Sequence, residues 1–498
     1  MISVRLLPTA LAIIFSAGAC ATTGVGTSTS AGDQSLMAIP VTTQSSTARA
    51  EFMQGIRDLD AERNVDARRH FNAAATADPN FAMAHYYSAI DGESFAAYRR
   101  HLDEAIRTMN GASPAEQLWI RAEQKSGDND INSQIAIAEQ LVQMTPSDPR
   151  AYQYLANAQL AANQRAQSRA TLERAIQVQP NFAPALIQLG NFYLITEPRD
   201  VAKSEIYFRR ALAIAPNEAF VHDYMGDLYR AQNNLSQARA EYTRMAELSS
   251  TRGEAYQQRG HVNSFMGNYA EARADYDRAV ALSDANTKPG YADSHALVSV
   301  YAGDPRAAEE ELERLAASVD PNIPSATGQK IGALQDEAQI ALHNGHLDVA
   351  QRAIDMLRPL YRQQGVEGGS DAARRNSEFN IGYWEGMLAA RRGDYATARQ
   401  KAQDMMAQVA PLQNPRKNEG AHEVLAMADL LQGNYQSAAA HFAEANPDDV
   451  YLWYQRGLAL EGAGRSAEAK EYFRKAAGWN FNGAGTALVK SAAAKKAG

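Results

Sequence analysis

The sequence predicts an all-α fold, a solenoid of helix–turn–helix units stacked along the chain. Three observations carry this expectation. Ala, Gln, Arg, Glu and Leu, all ready helix formers apart from their spacing, dominate the middle of the 498 residues, and β-branched runs that would read as strands are almost absent. Small and aromatic residues recur in phase every 34 positions. The recurrence extends over nearly the whole chain after the first few tens of residues, so one long array of small units accounts for a length that would otherwise suggest several domains.

The repeat is clearest in "HDYMGDLYRAQNNLSQARAEYTRMAEL" and "YQQRGHVNSFMGNYAEARADYDRAVAL", where Gly226 and Gly260, Ala238 and Ala272, and Tyr242 and Tyr276 are each 34 apart. The same frame collects Gly55, Ala67, Phe71, Ala74 and Pro79 in the first unit and Ala156, Leu172, Ala175 and Pro180 in the fourth. A Gly at the eighth place (Gly190, Gly226, Gly260) lets the two helices of a unit approach, with the Ala at the twentieth as the matching face. The aromatic at the twenty-fourth place (Phe71, Phe208, Tyr242, Tyr276, Phe442, Phe473) is expected to fill the gap between one unit and the next, and Pro79, Pro146, Pro180 or Pro216 ends the second helix. Glycines before the second helix, Gly267, Gly345, Gly393, Gly433 and Gly464, fit a helix C-cap and tight turn.

These marks resemble the tetratricopeptide-repeat (TPR) family, whose unit is two antiparallel helices. The resemblance implies an all-α TPR-type solenoid, a right-handed superhelix of about twelve helical pairs, at approximately 48–80, 81–114, 115–148, 149–182, 183–218, 219–252, 253–286, 289–322, 331–364, 379–412, 419–449 and 450–483. Pro-, Gly- and Asn-bearing stretches near 286, at 319–328, 363–376 and 410–418 read as loops. They divide the array into an N-terminal solenoid, 47–286, and a C-terminal one with longer loops, 287–483, with a bend between the halves. Residues 484–498 close the chain as a cap and basic tail, and Trp479 with Phe481 is expected to cover the terminal repeat.

Before the array come Arg5, an apolar stretch from Leu6 to Phe15, and small residues leading to Cys20. Residues 1–19 read as an export signal too short to span a bilayer. Ala17-Gly18-Ala19-Cys20 resembles the lipobox of bacterial lipoproteins, which implies a lipid on Cys20. Family members usually carry Leu where Ala17 stands, and the same small residues suit ordinary signal peptidase. Cys20 is the one cysteine in the chain, so an internal disulfide is excluded. No Asp follows it, which under the enterobacterial sorting rule implies the periplasmic face of the outer membrane; plain secretion or a soluble periplasmic form is the alternative. Residues 20–46, rich in Ser, Thr, Gly and Ala, read as a disordered tether.

The net charge of −8 excludes the basic stripe that a nucleic-acid surface needs; Lys490, Lys495 and Lys496 read as a solvated end. No phosphate loop, zinc helix, nucleophile elbow or calcium loop is present, and no cofactor is expected. Of ten histidines only His343 and His346 are close, without the further ligands that zinc wants. Glu309-Glu310-Glu311 reads as a solvated face, and Trp119, Trp384 and Trp453 as packing.

In TPR proteins bound peptides lie along the concave side of the first helices. The matching places here are Gln153, Asn157, Asn191, Asp223, Asp227, Arg230, Gln257 and His261. Asn157 and Asn191, 34 apart, would stand one above the other and bond the backbone of an extended ligand; a merely soluble polar surface is the competing account. The carboxylate clamp of chaperone adaptors does not carry over, because Gln153, Phe220 and Tyr224 stand where its Lys, Lys and Arg belong. The resemblance therefore implies a non-enzymatic scaffold for a protein or peptide partner, anchored to a membrane by its N-terminal lipid. An enzyme with a site between the two halves, near 363–376, and a secreted or intracellular TPR regulator are the rivals.

Overall fold

The computed structural model describes residues 41–498; the export signal, Cys20 and the tether up to residue 40 lie outside it. The described residues form 25 α-helices, one 3-10 turn (Met109–Gly111) and no strand. Twenty-four helices make twelve antiparallel pairs, 46–77, 82–108, 114–144, 149–178, 183–214, 219–248, 253–281, 288–318, 326–367, 371–409, 419–443 and 450–477, and the last helix, Ala484–Ala497, follows. The last residues of the expected tether are docked: the Thr42 backbone N–H donates to Glu116 Oε1 at 2.9 Å, and Thr43 Oγ1 donates to Asp78 Oδ2 at 2.5 Å.

Each well-formed pair is organised by a ring lying on a glycine. A Cβ placed on Gly226 would sit 2.4 Å from Tyr242 Cε1, on Gly190 2.4 Å from Phe208 Cε1, on Gly55 2.6 Å from Phe71 Cε1 and on Gly260 2.9 Å from Tyr276 Cε1. The aromatic thus fills the space inside its own pair, which corrects the expectation that it serves only the gap between units. It does reach that gap as well: Phe71 stacks on Tyr87 of the second pair at 4.8 Å between centroids, and Phe208 meets Tyr224 of the sixth at 5.5 Å. One ring therefore sets both the helix–helix distance and the stacking of neighbouring pairs.

The turn inside each pair needs a residue in the left-handed region, and two kinds supply it. Pairs seven to twelve use Gly267, Gly303, Gly345, Gly393, Gly433 and Gly464, with φ between +76° and +86°. Pairs one, three, four and six use Glu62, Asn129, Asn163 and Asn233, with φ between +52° and +59°. The hydrogen bonding is the same in both kinds: Asn234 N–H reaches Tyr229 O at 2.8 Å, and Asn268 N–H reaches Asn263 O at 2.9 Å. These are helix-ending bonds in which the peptide nitrogen after the left-handed residue returns to the carbonyl five residues earlier.

The difference in residue type follows position in the superhelix. The early turns rest on loops six or seven pairs further along. The Gly368–Gly369 turn after the ninth pair lies against Phe95 and Arg99 of the second. Asn414, after the tenth, donates to Asn129 Oδ1 of the third at 2.8 Å. Asp448, after the eleventh, accepts from Arg165 of the fourth at 2.6 Å, and Lys475 of the twelfth lies 3.5 Å from Glu197 of the fifth. After the twelfth, Asn480 donates to Asn233 Oδ1 of the sixth at 3.1 Å. Consecutive superhelical turns are therefore in edge contact. The glycine turns of pairs seven to twelve have nothing within 4 Å of a Cβ position. Asn tolerates the left-handed conformation, and at Asn129 and Asn233 it adds a side chain that bonds across the seam; glycine suffices where the turn faces no neighbour.

Most expected loops stand where Pro and Gly place them, but 363–376 does not. It is helix on both sides of a short turn, the helices being Leu347–Glu367 and Asp371–Arg391, and the Ser370 hydroxyl caps the second by accepting from Ala373 N–H at 3.0 Å. Gly365 lies within a helix because its Cα faces Ser377 closely, where a Cβ would come within 2.9 Å of the Ser377 Cβ. The ninth and tenth pairs are lengthened by this overhang, and its tip is what reaches Phe95.

Replacing Gly226 or Gly260 with Leu drives a side chain into Tyr242 or Tyr276. Each change is expected to cost roughly 1–3 kcal/mol and to lower the denaturation midpoint; an unshifted melt for both would show that the ring-on-glycine contact does not set pair geometry.

Candidate functional site

The expected groove residues fall into two groups. Gln153 and Asn157, on the helix Pro149–Ala161, and Asn191, on Ala183–Ile195, remain accessible: Asn157 is exposed and the other two are half-buried. Asn157 and Asn191 are not linked directly. Gln188 stands between the helices, accepting from Gln153 Nε2 at 2.8 Å and donating to Asn157 Oδ1 at 2.5 Å. This amide chain was not visible from the 34-residue spacing, because Gln188 lies 31 residues from Asn157 and belongs to no repeating place. Asn191 Oδ1 is buried and has no hydrogen-bond partner. The strip offers amide donors and acceptors to an extended backbone.

Asp223, Asp227, Arg230, Gln257 and His261 are buried, and the expectation that they line an open concave face is corrected accordingly. They form a connected network inside the sixth and seventh pairs. Arg230 pairs with Asp227 and donates to Gln258 Oε1 at 3.1 Å; Gln258 Nε2 donates to Asp223 Oδ1 at 3.0 Å. Tyr242 donates to Asp227 Oδ1 at 2.7 Å, and Gln257 Nε2 donates to Ser294 Oγ at 2.8 Å. Burial, reinforced by Asp227, holds the Asp223 carboxyl well above the usual carboxylate range. Burial beside Arg230 pulls His261 well below the ordinary imidazole value and keeps it neutral.

Two segments of the same chain cover this network. From the first pair, Glu62 accepts from the Tyr224 hydroxyl at 2.7 Å and its carbonyl accepts from Arg252 at 3.0 Å, while Asp60 pairs with Arg150 at 2.5 Å. Beside them is a cavity of about 210 Å³ lined by both signs of charge, including Glu62, Arg63, Glu218, Arg252 and Glu254. From the C-terminal end, Phe481 lies under the Arg230 guanidinium at 4.8 Å and Asn480 donates to the Arg230 carbonyl at 2.9 Å. Trp479 and Phe481 were expected to cap the last repeat; Trp479 does pack on Trp453, at 5.3 Å between centroids, but the pair also reaches the fifth and sixth repeats.

Other side chains singled out in the sequence find ordinary partners. His343 Nδ1 meets the Tyr451 hydroxyl at 3.1 Å and His346 Nδ1 meets Glu309 Oε1 at 2.6 Å. Glu309 is therefore buried rather than part of a solvated face, and Glu311 is paired with His295. No group of three or more metal-ligating side chains is present among the described residues. Trp119, Trp384 and Trp453 are buried, with their indole N–H groups donating to Tyr86, Tyr361 and the Pro447 carbonyl. Lys490 is not a solvated end: it donates to the Ala477 and Trp479 carbonyls and to Asn480 Oδ1.

Burial between the first and sixth pairs pushes the Glu62 carboxyl up to about 7, against the Tyr224 hydrogen bond, which acts to lower it. The folded chain therefore holds a proton there after the unfolded chain has released it near the ordinary glutamate value. Stability from this group is present in full at low pH and is lost as pH rises from about 4.5 through about 7. Urea midpoints at about pH 5 and pH 8 should fall further in the wild-type chain than in Glu62→Gln; parallel falls would show that the site does not titrate in this window.

Family models described as tetratricopeptide repeat match residues 154–219, 253–286 and 450–482. No curated protein matches the chain. Among solved structures, yeast Tom70 is similar at 13% identity and a TM-score of 0.43 over 86% of this chain and 96% of that one. PilW, described as a widely conserved type IV pilus biogenesis factor, is similar at 17% identity and 0.34 over 43% and 97%. MamA is similar at 16% identity and 0.28 over 32% and 93%. Tetratricopeptide repeats are thus detected in this chain, and the described residues fold as an all-helical, TPR-like solenoid of twelve helical pairs with a closing helix.

Proposed function

We propose that the protein is an exported, non-enzymatic TPR scaffold, held by a lipid on Cys20 at the periplasmic face of the outer membrane, that binds an extended segment of a partner protein. The observation that carries the binding part is the amide strip Gln153–Gln188–Asn157 with the unpartnered Asn191 Oδ1: polar groups on an accessible inner wall, at a helix-to-helix spacing, with one buried acceptor unmet. Amides read the backbone of an extended strand whatever its side chains are, which suits a scaffold. The anchoring part is supported by the sequence: an export-type signal, small residues before Cys20, and no second cysteine for Cys20 to pair with. No helix among the described residues is long and apolar enough to cross a membrane, so a lipid would be the attachment this reading requires.

Two experiments test the two parts. Partner recovery from detergent-solubilised envelopes should fall several-fold in Asn157→Ala/Asn191→Ala, and further when Gln188→Ala is added; equal recovery removes the strip from the account. Metabolic labelling with an alkyne fatty acid should mark the wild-type chain and not Cys20→Ser. An unlabelled wild type, or label kept by the variant, defeats the anchor.

A further inference from the structure

The segment between the twelfth pair and the last helix does more than cover an end. Residues 479–483 are non-helical, and their long-range contacts reach some 180 to 280 residues back along the chain. Trp479 lies under the Arg199 guanidinium at 5.2 Å, and Phe481 under that of Arg230 at 4.8 Å. Between them Asn480 donates to the Arg230 carbonyl at 2.9 Å and to Asn233 Oδ1 at 3.1 Å, and beyond them Asn482 Oδ1 accepts from the Tyr301 hydroxyl at 2.9 Å. A terminal cap needs contact with the twelfth pair only. This strand instead presents an aromatic, an asparagine and a second aromatic in succession to the inner wall of the fifth to eighth pairs. Its Trp479 and Phe481 carbonyls turn the other way, accepting from Lys490 and from the Thr486 hydroxyl. The wall therefore reads its side chains, as a groove reads a bound peptide.

The fit leaves part of the wall unmet. Around Arg230, the buried atoms Arg230 Nε and His261 Nε2 have no hydrogen-bond partner. Core packing normally satisfies such groups, and leaving them unmet makes the closed state less stable than a fully matched one. The seam beside the strand is held by polar contacts, among them Arg165–Asp448, Asn129–Asn414 and Glu197–Lys475, which water can replace when they part.

We propose that Trp479–Asn482 is a built-in ligand of the inner wall, an intramolecular strand that closes the second superhelical turn onto the first and keeps the wall from an outside strand of the same aromatic–Asn–aromatic chemistry. This rests on the reading of the inner wall as a peptide-binding face, and it adds the chemistry of the strand bound and the means of closure. Because the strand is tethered, it occupies the wall at an effective concentration in the millimolar range, and an outside strand competes only when the tethered one is loosened.

Lys490→Ala removes two hydrogen bonds to the strand, at the Trp479 carbonyl and Asn480 Oδ1, and one to the Ala477 carbonyl before it, and of the wall's own contacts it gives up only the one over the Phe265 ring at 5.6 Å. A fluorescein-labelled peptide of residues 476–485, AAGWNFNGAG, is expected to bind this variant about tenfold or more tighter than it binds the wild-type chain. In the variant, amides of residues 479–483 and of the Asn233 turn should exchange with deuterium faster and together. No gain in peptide binding, with unchanged exchange, overturns the proposal. Should the variant fail to fold, exchange in the wild-type chain decides: strand and Asn233 turn opening as one unit, at lower protection than pairs four to seven, supports it, and protection equal to that core overturns it. These readouts use the purified chain without a partner, so they stand whether or not the amide strip proves to recruit one.

Discussion

A bare Cα facing an aromatic ring is the contact on which the rest of this molecule depends. Gly55, Gly190, Gly226, Gly260 and Gly457 each meet the ring sixteen to eighteen residues on, and the ring in turn meets the next pair, so a single side chain fixes two distances. Close packing leaves little freedom in either, and small rotations between pairs accumulate in one direction. After seven pairs the chain has come round far enough for loops to touch turns. The seam is therefore a consequence of pair geometry, and the residues placed along it are the chain's response to that geometry.

That response is legible in the turn residues. A helix ending in a left-handed residue is most easily made with glycine, and the later pairs use it throughout. The earlier pairs that carry Asn instead accept some backbone strain, and at Asn129 and Asn233 the side chain returns a hydrogen bond to a loop far along the sequence. The fifth pair, whose inner turn has neither residue, reaches across by other means: Arg199 spreads over Trp453 and Trp479, and Glu197 faces Lys475. The seam is polar at its rim and aromatic where it approaches the interior.

The pairs were readable because their signals are local. Gly226 and Gly260 with Tyr242 and Tyr276, the closing prolines, and the glycines before second helices all act within about one repeat, and periodicity exposes them. The groove was only half readable for the same reason. Gln153, Asn157 and Asn191 lie where the frame placed them. Asp223, Asp227, Arg230, Gln257 and His261 lie on the expected helices too, but their exposure depends on Glu62 and on Asn480–Phe481, which are far away in sequence and outside the repeating frame. Gln188 was missed because it occupies no recurrent place. The helices around Gly368 were read as a loop because glycine near a helix end carries no mark of whether the helix stops before or after it.

The buried network under the seam ties the first pair and the post-repeat strand to one centre. Arg230 contacts Asp227 and Gln258 by its guanidinium, Phe481 by its face, and Asn480 by its carbonyl; Tyr224, six residues earlier on the same helix, holds Glu62. A helix of thirteen residues, Ala219–Ala231, is thus gripped from the first pair on one side and from the post-repeat strand on the other. Neither grip is made of aliphatic packing alone. Charged and amide groups withdrawn from water are costly unless every one is matched, and here some are not. A long solenoid in which each pair touches only its neighbours has no need of such a centre for stability. Its presence makes the spacing between superhelical turns depend on a small set of polar contacts, so that the cover over the inner wall and the docking of the first pair and the post-repeat strand are set by the same residues.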